Sequence, residues 1–447
     1  MHNFIFRRIM QFKQNYWFWP SAMTAAAVLL GFLLPYLDAR LGSDWIQSVD
    51  FIRASGVDGA RSILTTLAGA TLGVAGVAFS VTIVAVSFAS SNYGPRLIGN
   101  FMGDRKNQVV LGVFVATFVY CITVLSTVHA SAEASGNELD AFVPQLSVFL
   151  ALLLTLAAVG ALIAYIHHIP ESINIMNLTA KIGDKLHSSI VAMLDREEAR
   201  DCDEGDAVDV TAWRAAPADD SAALIRAKGA GFLQQIDLDS LTDIAREHEM
   251  QIVLHRAPGD FLVADEIVMS VTPGAQASQD LPQRIRKCYT QGANRTDFQD
   301  ILFLSDQLVE VLGRALSTGV NDPHTAVLCL NWLRAGLVSF ARRPPVQPAM
   351  RSDPVVYQRV TFEDMLDRSF DRMRQYIAGD RSVTLHALRV LTDIAEAASR
   401  QAMADACLRQ MRELARSAQE QLPDPVGRDE VEAALTQALK AVAARDG

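Results

Sequence analysis

The chain has 447 residues, of which half are apolar and only a fifth are charged, and its formal net charge at pH 7 is -10. This composition is too apolar for an ordinary soluble protein, and the apolar excess lies in the first third of the sequence. The acidic balance, without clustered Lys and Arg, argues against a nucleic-acid partner. We therefore expect a membrane part, with the lipid bilayer as its partner, followed by a soluble part.

Four apolar stretches are long enough to cross a bilayer as helices, and they cover residues 17–37, 63–89, 109–128 and 143–166. The first begins with the aromatic cluster "YWFWP", which is typical of a membrane interface. A cleaved signal peptide is the alternative, but no small-residue cleavage site follows the apolar run. The sequence thus predicts a four-helix transmembrane domain over residues 17–168.

The short loops predict the orientation of these spans, because Lys and Arg resist translocation. The loop between the third and fourth spans has neither residue, whereas both occur before the first span, between the second and third, and after the fourth. Arginines in the first loop weaken this asymmetry. We expect both termini, including residues 1–16, to be cytoplasmic. The residues on the predicted cytoplasmic side are Arg7, Arg8, Lys13, Arg96, Arg105, Lys106, Lys181 and Lys185, and those in the first loop are Arg40, Arg53 and Arg61.

The second apolar stretch is rich in glycine, serine and threonine. Residues three or four apart share one face of a helix, and most of these small residues fall on one such line. Two roles fit this pattern: close packing of helices, with Gly69 and Gly73 as a GxxxG pair, or the lining of a pore by several copies of the helix. No charged residue lies inside this span, so the usual marker of a proton relay is missing. The small-residue stripe consists of Thr66, Gly69, Gly73, Gly76, Ser80 and Ser87.

After the fourth span the sequence predicts a juxtamembrane helix and an acidic linker over residues 169–221, then a small β module over 222–275. His167 and His168 are adjacent, so on a helix they point about 100° apart and cannot chelate one metal together. The run "RAPGDFLVADEIVMSV" resembles the hairpin of barrel-sandwich carrier modules. It has no modifiable lysine at the hairpin tip, so we expect a structural module and no cofactor.

Residues 282–447 carry helical patterns, and "STGVNDPHT" separates the first two helices. Gly319 suits a C-terminal cap, while Asp322 and Pro323 suit an N-cap and a first helical residue. This is a complete structural explanation of the segment. The alternative is that Asn321, Asp322 and His324 are presented to a ligand or a neighbouring subunit.

The five cysteines stand far apart and show no CxxC spacing, so we expect reduced, buried thiols and no metal site. GxSxG, HExxH, P-loop and dinucleotide motifs are missing as well, so we expect a protein that is not an enzyme. The cysteines are Cys121, Cys202, Cys288, Cys329 and Cys407.

Several long segments together resemble one family. They are "GARSILTTLAGATLGVAGVAFSVTIVAVSFASS", "GFLQQIDLDSL" with "APGDF", and "NRTDFQDILFLSDQLVEVLGRALSTGVNDPHTA". This combination resembles the bacterial predicted membrane proteins catalogued as domain of unknown function number two-two-five-four. Thr318, Gly319 and His324 depart from the family's usual "SPAINDPFTA", which makes His324 a poor candidate for shared chemistry. The matching soluble positions are Arg295, Thr296, Gln299, Asp300, Arg314, Asn321, Asp322 and Pro323.

The resemblance implies a bacterial plasma-membrane protein of this size and topology, and it implies no activity. Two hypotheses follow. In the first, the chain forms a homo-oligomeric channel whose second span lines the pathway and whose cytoplasmic domain gates it. In the second, the spans only anchor a regulatory or scaffold protein that recognises a cytoplasmic partner, whose identity the sequence leaves open.

Overall fold

The computed structural model describes residues 17–41, 56–94, 104–129, 142–200, 222–273, 280–344 and 354–444. The chain is mostly helical and divides into two compact units. We call Met1–Asn177 the membrane unit and Leu178–Gly447 the C-terminal unit. The predicted N-terminal segment 1–16 lies outside the described residues, as does the acidic stretch 201–221 with Cys202. The same holds for the basic residues Arg53 and Arg96, whereas Arg40 and Arg61 are described.

Four helices of the membrane unit are long and apolar enough to cross a membrane, which confirms the predicted number of spans. The second has 37 residues and is therefore about 55 Å long, well beyond the hydrocarbon thickness of a bilayer. It must tilt or extend past the lipid. The helices are α1 (Phe18–Leu41), α2 (Val57–Tyr93), α3 (Arg105–Leu125) and α4 (Gln145–Ile173).

Helix α1 packs closely against α3 at two glycines. A Cβ on Gly112 would lie 2.7 Å from Sδ of Met23, and a Cβ on Gly31 would lie 2.8 Å from the side chain of Thr123. Such contacts let two helix backbones approach, which is the main source of helix association in lipid. The fully buried Tyr120 of α3 fixes the neighbouring helix by donating its hydroxyl hydrogen to the carbonyl oxygen of Ser147.

Acidic side chains hold the ends of the membrane helices. Asp38 of α1 accepts hydrogen bonds from the backbone N–H and the hydroxyl of Ser147 in the first turn of α4. At the other end, Asp104 caps α3 and bonds to Nε2 of His168 at 2.8 Å. His167 lies apart from His168, with 82% of its side chain exposed, as the angular argument predicts for adjacent residues.

The C-terminal unit contains two small sheets. One is four-stranded, in the order β1-β5-β3-β7, and the other is three-stranded, in the order β4-β2-β6. The strands β6 and β7 come from the range that the sequence predicts to be helical, and β7 pairs parallel to β3. The sheets therefore recruit chain beyond the predicted module 222–275. The strands are β1 (Ala223–Arg226), β2 (Gly231–Ile236), β3 (Gln251–Leu254), β4 (Phe261–Leu262), β5 (Ile267–Thr272), β6 (Tyr289–Gly292) and β7 (Val355–Val356).

Two short helices contact these sheets, and longer helices form the rest of the unit. A Cβ on Gly183 of α5 would lie 2.4 Å from the ring of Trp332 in α9, so these two helices approach closely. Thr361 forms a capping box with Asp364 at the start of α10. The helices are α5 (Ile175–Arg200), α6 (Leu238–Glu247), α7 (Leu281–Arg286), α8 (Ile301–Ala315), α9 (Pro323–Ala341), α10 (Phe362–Ile377), α11 (Arg381–Ala397), α12 (Gln401–Gln421) and α13 (Pro425–Ala443).

Candidate functional sites

The small-residue stripe of α2 faces away from the other helices of its own chain. All six of its residues are exposed, and a Cβ added to Gly69, Gly73 or Gly76 would meet no atom within 4 Å. The hydroxyl of Ser80 donates to the carbonyl oxygen of Gly76, one helical turn earlier. Among the described residues of a single chain, the stripe therefore takes no part in helix packing.

A different face of α2 packs inside the membrane unit. It is built mostly from alanines at helical spacing, and Thr82 shares a 2.7 Å hydrogen bond there with the hydroxyl of Tyr165. Since each residue turns the helix by about 100°, this face lies roughly opposite the small-residue stripe. Helix α2 is thus two-sided, with one side packed within the chain and the other presented outward. The packed face consists of Ala60, Leu64, Ala68, Thr71, Ala75, Ala78, Thr82, Ala85 and Ala89.

The C-terminal unit holds a cavity of about 730 Å³. Six stretches that are distant in sequence contribute to its walls: part of α5, residues within 232–238, residues 254–261, residues within 295–302, residues 357–360 and the first part of α10. Two of these stretches carry the "APGDF" and "NRTDFQD" motifs of the family resemblance. The fold therefore brings together motifs that are more than thirty residues apart, and we call this space the arginine cavity.

Gly259 fixes the contact between the two motifs. Its φ of +97° lies in the left-handed region that favours glycine, and a Cβ there would lie 2.0 Å from Oδ2 of Asp300. Its N–H donates to the carbonyl oxygen of Leu233, and Asp260 holds the same turn by accepting from the N–H of Ala257. Only glycine fits this position, which explains the "PGD" signature without invoking a carrier hairpin.

Gln299 docks the second motif onto β2. Its side-chain amide donates to the carbonyl oxygen of Ile236 at 2.9 Å and accepts from the N–H of the same residue at 2.8 Å. The side chain thereby imitates the backbone pairing of an extra strand. Gln234 adds a further bond, from its amide to the carbonyl oxygen of Asn294. Gln299 is consequently held rigidly at the cavity wall.

A buried carboxylate at the cavity binds three arginines. Asp306, with 1% of its side chain exposed, accepts from Arg295 at 2.7 Å, from Arg368 at 2.8 Å and from Arg372 at 2.7 Å. Arg295 also donates from Nε to Asp300, which caps α8. Three guanidinium groups thus share two carboxylates, so this cluster carries one net positive charge.

Burial and charge act in opposite directions on these acids. Burial favours the neutral form of Asp306, but the hydrogen bonds and charge of Arg368, reinforced by Arg295 and Arg372, outweigh it and hold the pKa of Asp306 below its usual range. For Asp300, burial dominates and raises the pKa, although Arg295 opposes it. Asp306 is therefore the fixed counter-charge of the cluster.

A second buried ion pair lies on another wall of the cavity. Arg359, with 4% of its side chain exposed, lies 2.9 Å from Glu197 of α5. The hydroxyl of Tyr357 donates to the same glutamate at 2.8 Å. Breaking a buried pair of this kind leaves an uncompensated charge, so these groups hold α5 firmly against residues 357–360.

The remaining predicted positions of the soluble motif lie elsewhere. Arg314 is in the last turn of α8, at the end opposite to Asp300. Asp322 caps α9 by accepting from the N–H and the hydroxyl of Thr325, Pro323 is the first residue of that helix, and Asn321 has a positive φ of 49°. Hydrogen bonds from Thr325 hold the pKa of Asp322 below its usual range. The predicted N-cap of α9 is confirmed. The predicted C-terminal cap at Gly319 was wrong, because α8 ends with its C-cap at Leu316, three residues earlier.

Thr296 is part of the motif but does not line the cavity, and its hydroxyl is buried. No local sequence pattern indicates Arg256, Arg359 and Arg368 of the cavity wall, because they are isolated arginines in separate segments. In the described ranges, no group of three or more metal-ligating side chains is placed to hold an ion.

Comparison with known proteins identifies the family. The family model described as "Predicted membrane protein (DUF2254)" matches residues 13–393. Proteins of Mycobacterium bovis and Mycobacterium tuberculosis, both named as uncharacterized, are 31% identical over 327 residues, which is 71% of this chain and 59% of each relative. The chain thus spans less than two thirds of these curated relatives. No solved structure matches the chain. The chain belongs to the DUF2254 family of predicted membrane proteins.

Proposed function

We propose that the protein is a homo-oligomer of the bacterial inner membrane in which the α2 helices of neighbouring copies meet along the small-residue stripe and enclose a channel-like pathway. The observation that supports this is the outward orientation of the stripe. The glycines have open space beside them in the part of the chain that the structure describes, and small residues with such space are typical of helix interfaces in membranes.

The length of the stripe supports a role across the whole bilayer. From Thr66 to Ser87 the helix rises by about 32 Å, close to the roughly 30 Å hydrocarbon thickness. Exposed apolar side chains such as Val77 and Phe88 flank it and suit lipid contact. A stripe of this extent fits a continuous interface or pathway rather than a local contact.

The proposed orientation places both termini in the cytoplasm. Arg105 and Lys106 begin α3, and Lys181 and Lys185 follow α4 in α5. These basic residues belong to the side that is not translocated. The C-terminal unit would then be cytoplasmic and could gate the pathway.

Ion flux through purified protein in liposomes tests this function. We expect flux in the wild type and its loss in Gly73→Leu and Ser80→Leu, because a leucine would fill the open space along the stripe. The matched control is Val81→Leu, which enlarges an exposed position of the same helix away from the stripe. Absence of flux in the wild type under all tested pH values and divalent-ion concentrations would contradict a channel.

The second candidate function is that of a membrane-anchored regulatory protein. The observation that favours it is the arginine cavity, which the specific motifs of the soluble region build together. A protein that binds a cytoplasmic ligand or partner, and forms oligomers but conducts nothing, would fit this function and exclude the channel.

A further inference from the structure

We propose that the arginine cavity binds a small anion that carries a flat ring, of the nucleoside phosphate class. The inference goes beyond the proposed membrane function and does not depend on it. It rests on three properties of the cavity: its guanidinium donors, the engagement of its acidic side chains and its exposed aromatic rings.

The donors come from the cluster around Asp306. Arg295 uses Nε and Nη1, and Arg368 uses Nε and Nη2, in bonds to Asp300 and Asp306. Within the described part of the chain, Nη2 of Arg295 and Nη1 of Arg368 make no hydrogen bond. Both arginines line the cavity, and their remaining N–H groups suit a phosphate or carboxylate oxygen.

The acidic side chains at the cavity are already engaged in structure. Glu197 pairs with Arg359, Asp260 holds the turn at Ala257, and Asp364 completes the capping box of α10. Asp300 caps α8 and pairs with Arg295. These carboxylates stabilise the walls, so a cation is not the ligand that the remaining polar groups favour.

Aromatic rings supply the second part of the recognition. Phe261 and Phe298 line the cavity and are 53% and 45% exposed. Phe232 contacts Phe261 edge to face, with 5.1 Å between ring centroids, which holds that ring in place. Exposed rings that line the same cavity as the arginines suit a planar ligand that stacks while its anionic end meets the guanidinium groups.

The size of the cavity fits this class of ligand. Sites for small molecules and cofactors commonly enclose about 300–1,000 Å³, and the arginine cavity, at about 730 Å³, lies within that range. Its walls are also preorganised, because Gly259, Gln299 and Arg295 are each fixed by several contacts. A preorganised site loses little affinity to the ordering of its own side chains.

The test is calorimetric titration of the purified full chain in detergent with common nucleoside mono- and triphosphates. Inorganic phosphate, glycerol phosphate and free nucleosides serve as partial probes. We expect saturable binding of at least one nucleotide, with inorganic phosphate and the nucleoside each binding more weakly. If inorganic phosphate or glycerol phosphate bound as tightly as the nucleotide, recognition of a flat ring would be overturned, and the cavity would be a simple phosphate or lipid-headgroup site. Absence of saturable binding by every nucleotide would overturn the proposal.

A matched pair of variants assigns the binding to this cavity. Arg368→Gln and Arg372→Gln each remove one guanidinium from Asp306, but only Arg368 lines the cavity. We expect Arg368→Gln to weaken nucleotide binding about tenfold or more, and Arg372→Gln to keep it within about twofold. Phe298→Ala should weaken nucleotide binding by roughly fivefold or more while leaving inorganic phosphate unaffected. Equal affinities in the two arginine variants would overturn the assignment.

Discussion

The residues that are unusual for their surroundings are of opposite kinds in the two units of this protein. In the membrane unit, large exposed apolar side chains need no explanation because lipid covers them, and the exception is a stripe that is small, partly polar and exposed. In the C-terminal unit, exposed charge is ordinary, and the exception is charge that is buried, as at Asp306 and Arg359. Which residues are unusual, and therefore indicate function, thus depends on whether lipid or water surrounds the unit.

Removing the buried charge of Asp306 should have the largest effect. In Asp306→Asn, three arginines would lose their common counter-charge, so we expect the C-terminal unit to lose about 3–5 kcal/mol of unfolding free energy. Denaturant unfolding of the full chain measures this. The control is Glu430→Gln, which breaks an exposed pair with Arg381 and should cost less than about 1 kcal/mol. Equal losses would mean that the Asp306 cluster is not a structural centre.

Substitution of glycines in the membrane unit should affect stability differently at packed and at outward-facing positions. Gly112→Leu would drive a side chain into Met23 and the backbone of Pro20, and we expect a loss of about 1–3 kcal/mol or more in stability. Gly73→Leu adds atoms where the described residues leave open space, so it should leave the stability of a single chain nearly unchanged and alter association instead. Thermal unfolding in detergent, with size-exclusion chromatography, separates the two effects. A Gly73→Leu chain that unfolds like Gly112→Leu would contradict the outward orientation of the stripe.

The contribution of Asp306 to the stability of the fold should be lost as the pH falls. Because its pKa in the folded state is held below the usual range, its ionised form stabilises the fold fully above about pH 4, the ordinary aspartate value. As the pH falls below that value and through the folded pKa, this stabilisation is lost. The stability difference between wild type and Asp306→Asn should thus be constant from about pH 5 to 7 and shrink below about pH 4. A difference that grows on acidification would refute this assignment of charge.

The last prediction concerns the reactivity of the buried cysteines and involves no change in the stability of the chain. Burial raises the pKa of Cys288 to about 11 and that of Cys407 to about 12, and it also raises the pKa of Cys329 above its usual range. At pH 8 only about one Cys288 thiol in a thousand would be ionised, so maleimide should react with these three at least about a hundredfold more slowly than with free cysteine. Mass spectrometry of labelled peptides before and after denaturation checks this. Rapid labelling of Cys407 in the folded chain would show that α12 opens readily.

Regular features of the fold were predictable from sequence, because each depends on local periodicity or on neighbouring residues. The four spans follow from hydropathy, the stripe follows from helical spacing, and the cap of α9 follows from Asp322 and Pro323. Strand β7 was not predictable, since two residues carry no period and their pairing with β3 spans about a hundred positions.

The candidate site was predictable only in part. Arg295, Gln299 and Asp300 were recognised through the family motif, but their role as cavity walls depends on residues as distant as Ser188 and Arg368. Asp306 is not distinguished in the sequence from other helical aspartates. Its importance comes from its burial beside three arginines. Two of them, Arg368 and Arg372, reach it only because α8 packs against α10.

Cysteine cross-linking in native membranes can show whether the small-residue stripe of α2 joins copies of the chain. The five native cysteines would be replaced by alanine, and single cysteines introduced by Ser80→Cys on the stripe and Val81→Cys beside it. We expect an oxidant-induced covalent dimer with Ser80→Cys and little or none with Val81→Cys. Dimers with Val81→Cys alone, or with neither variant at native protein density, would contradict this role of the stripe.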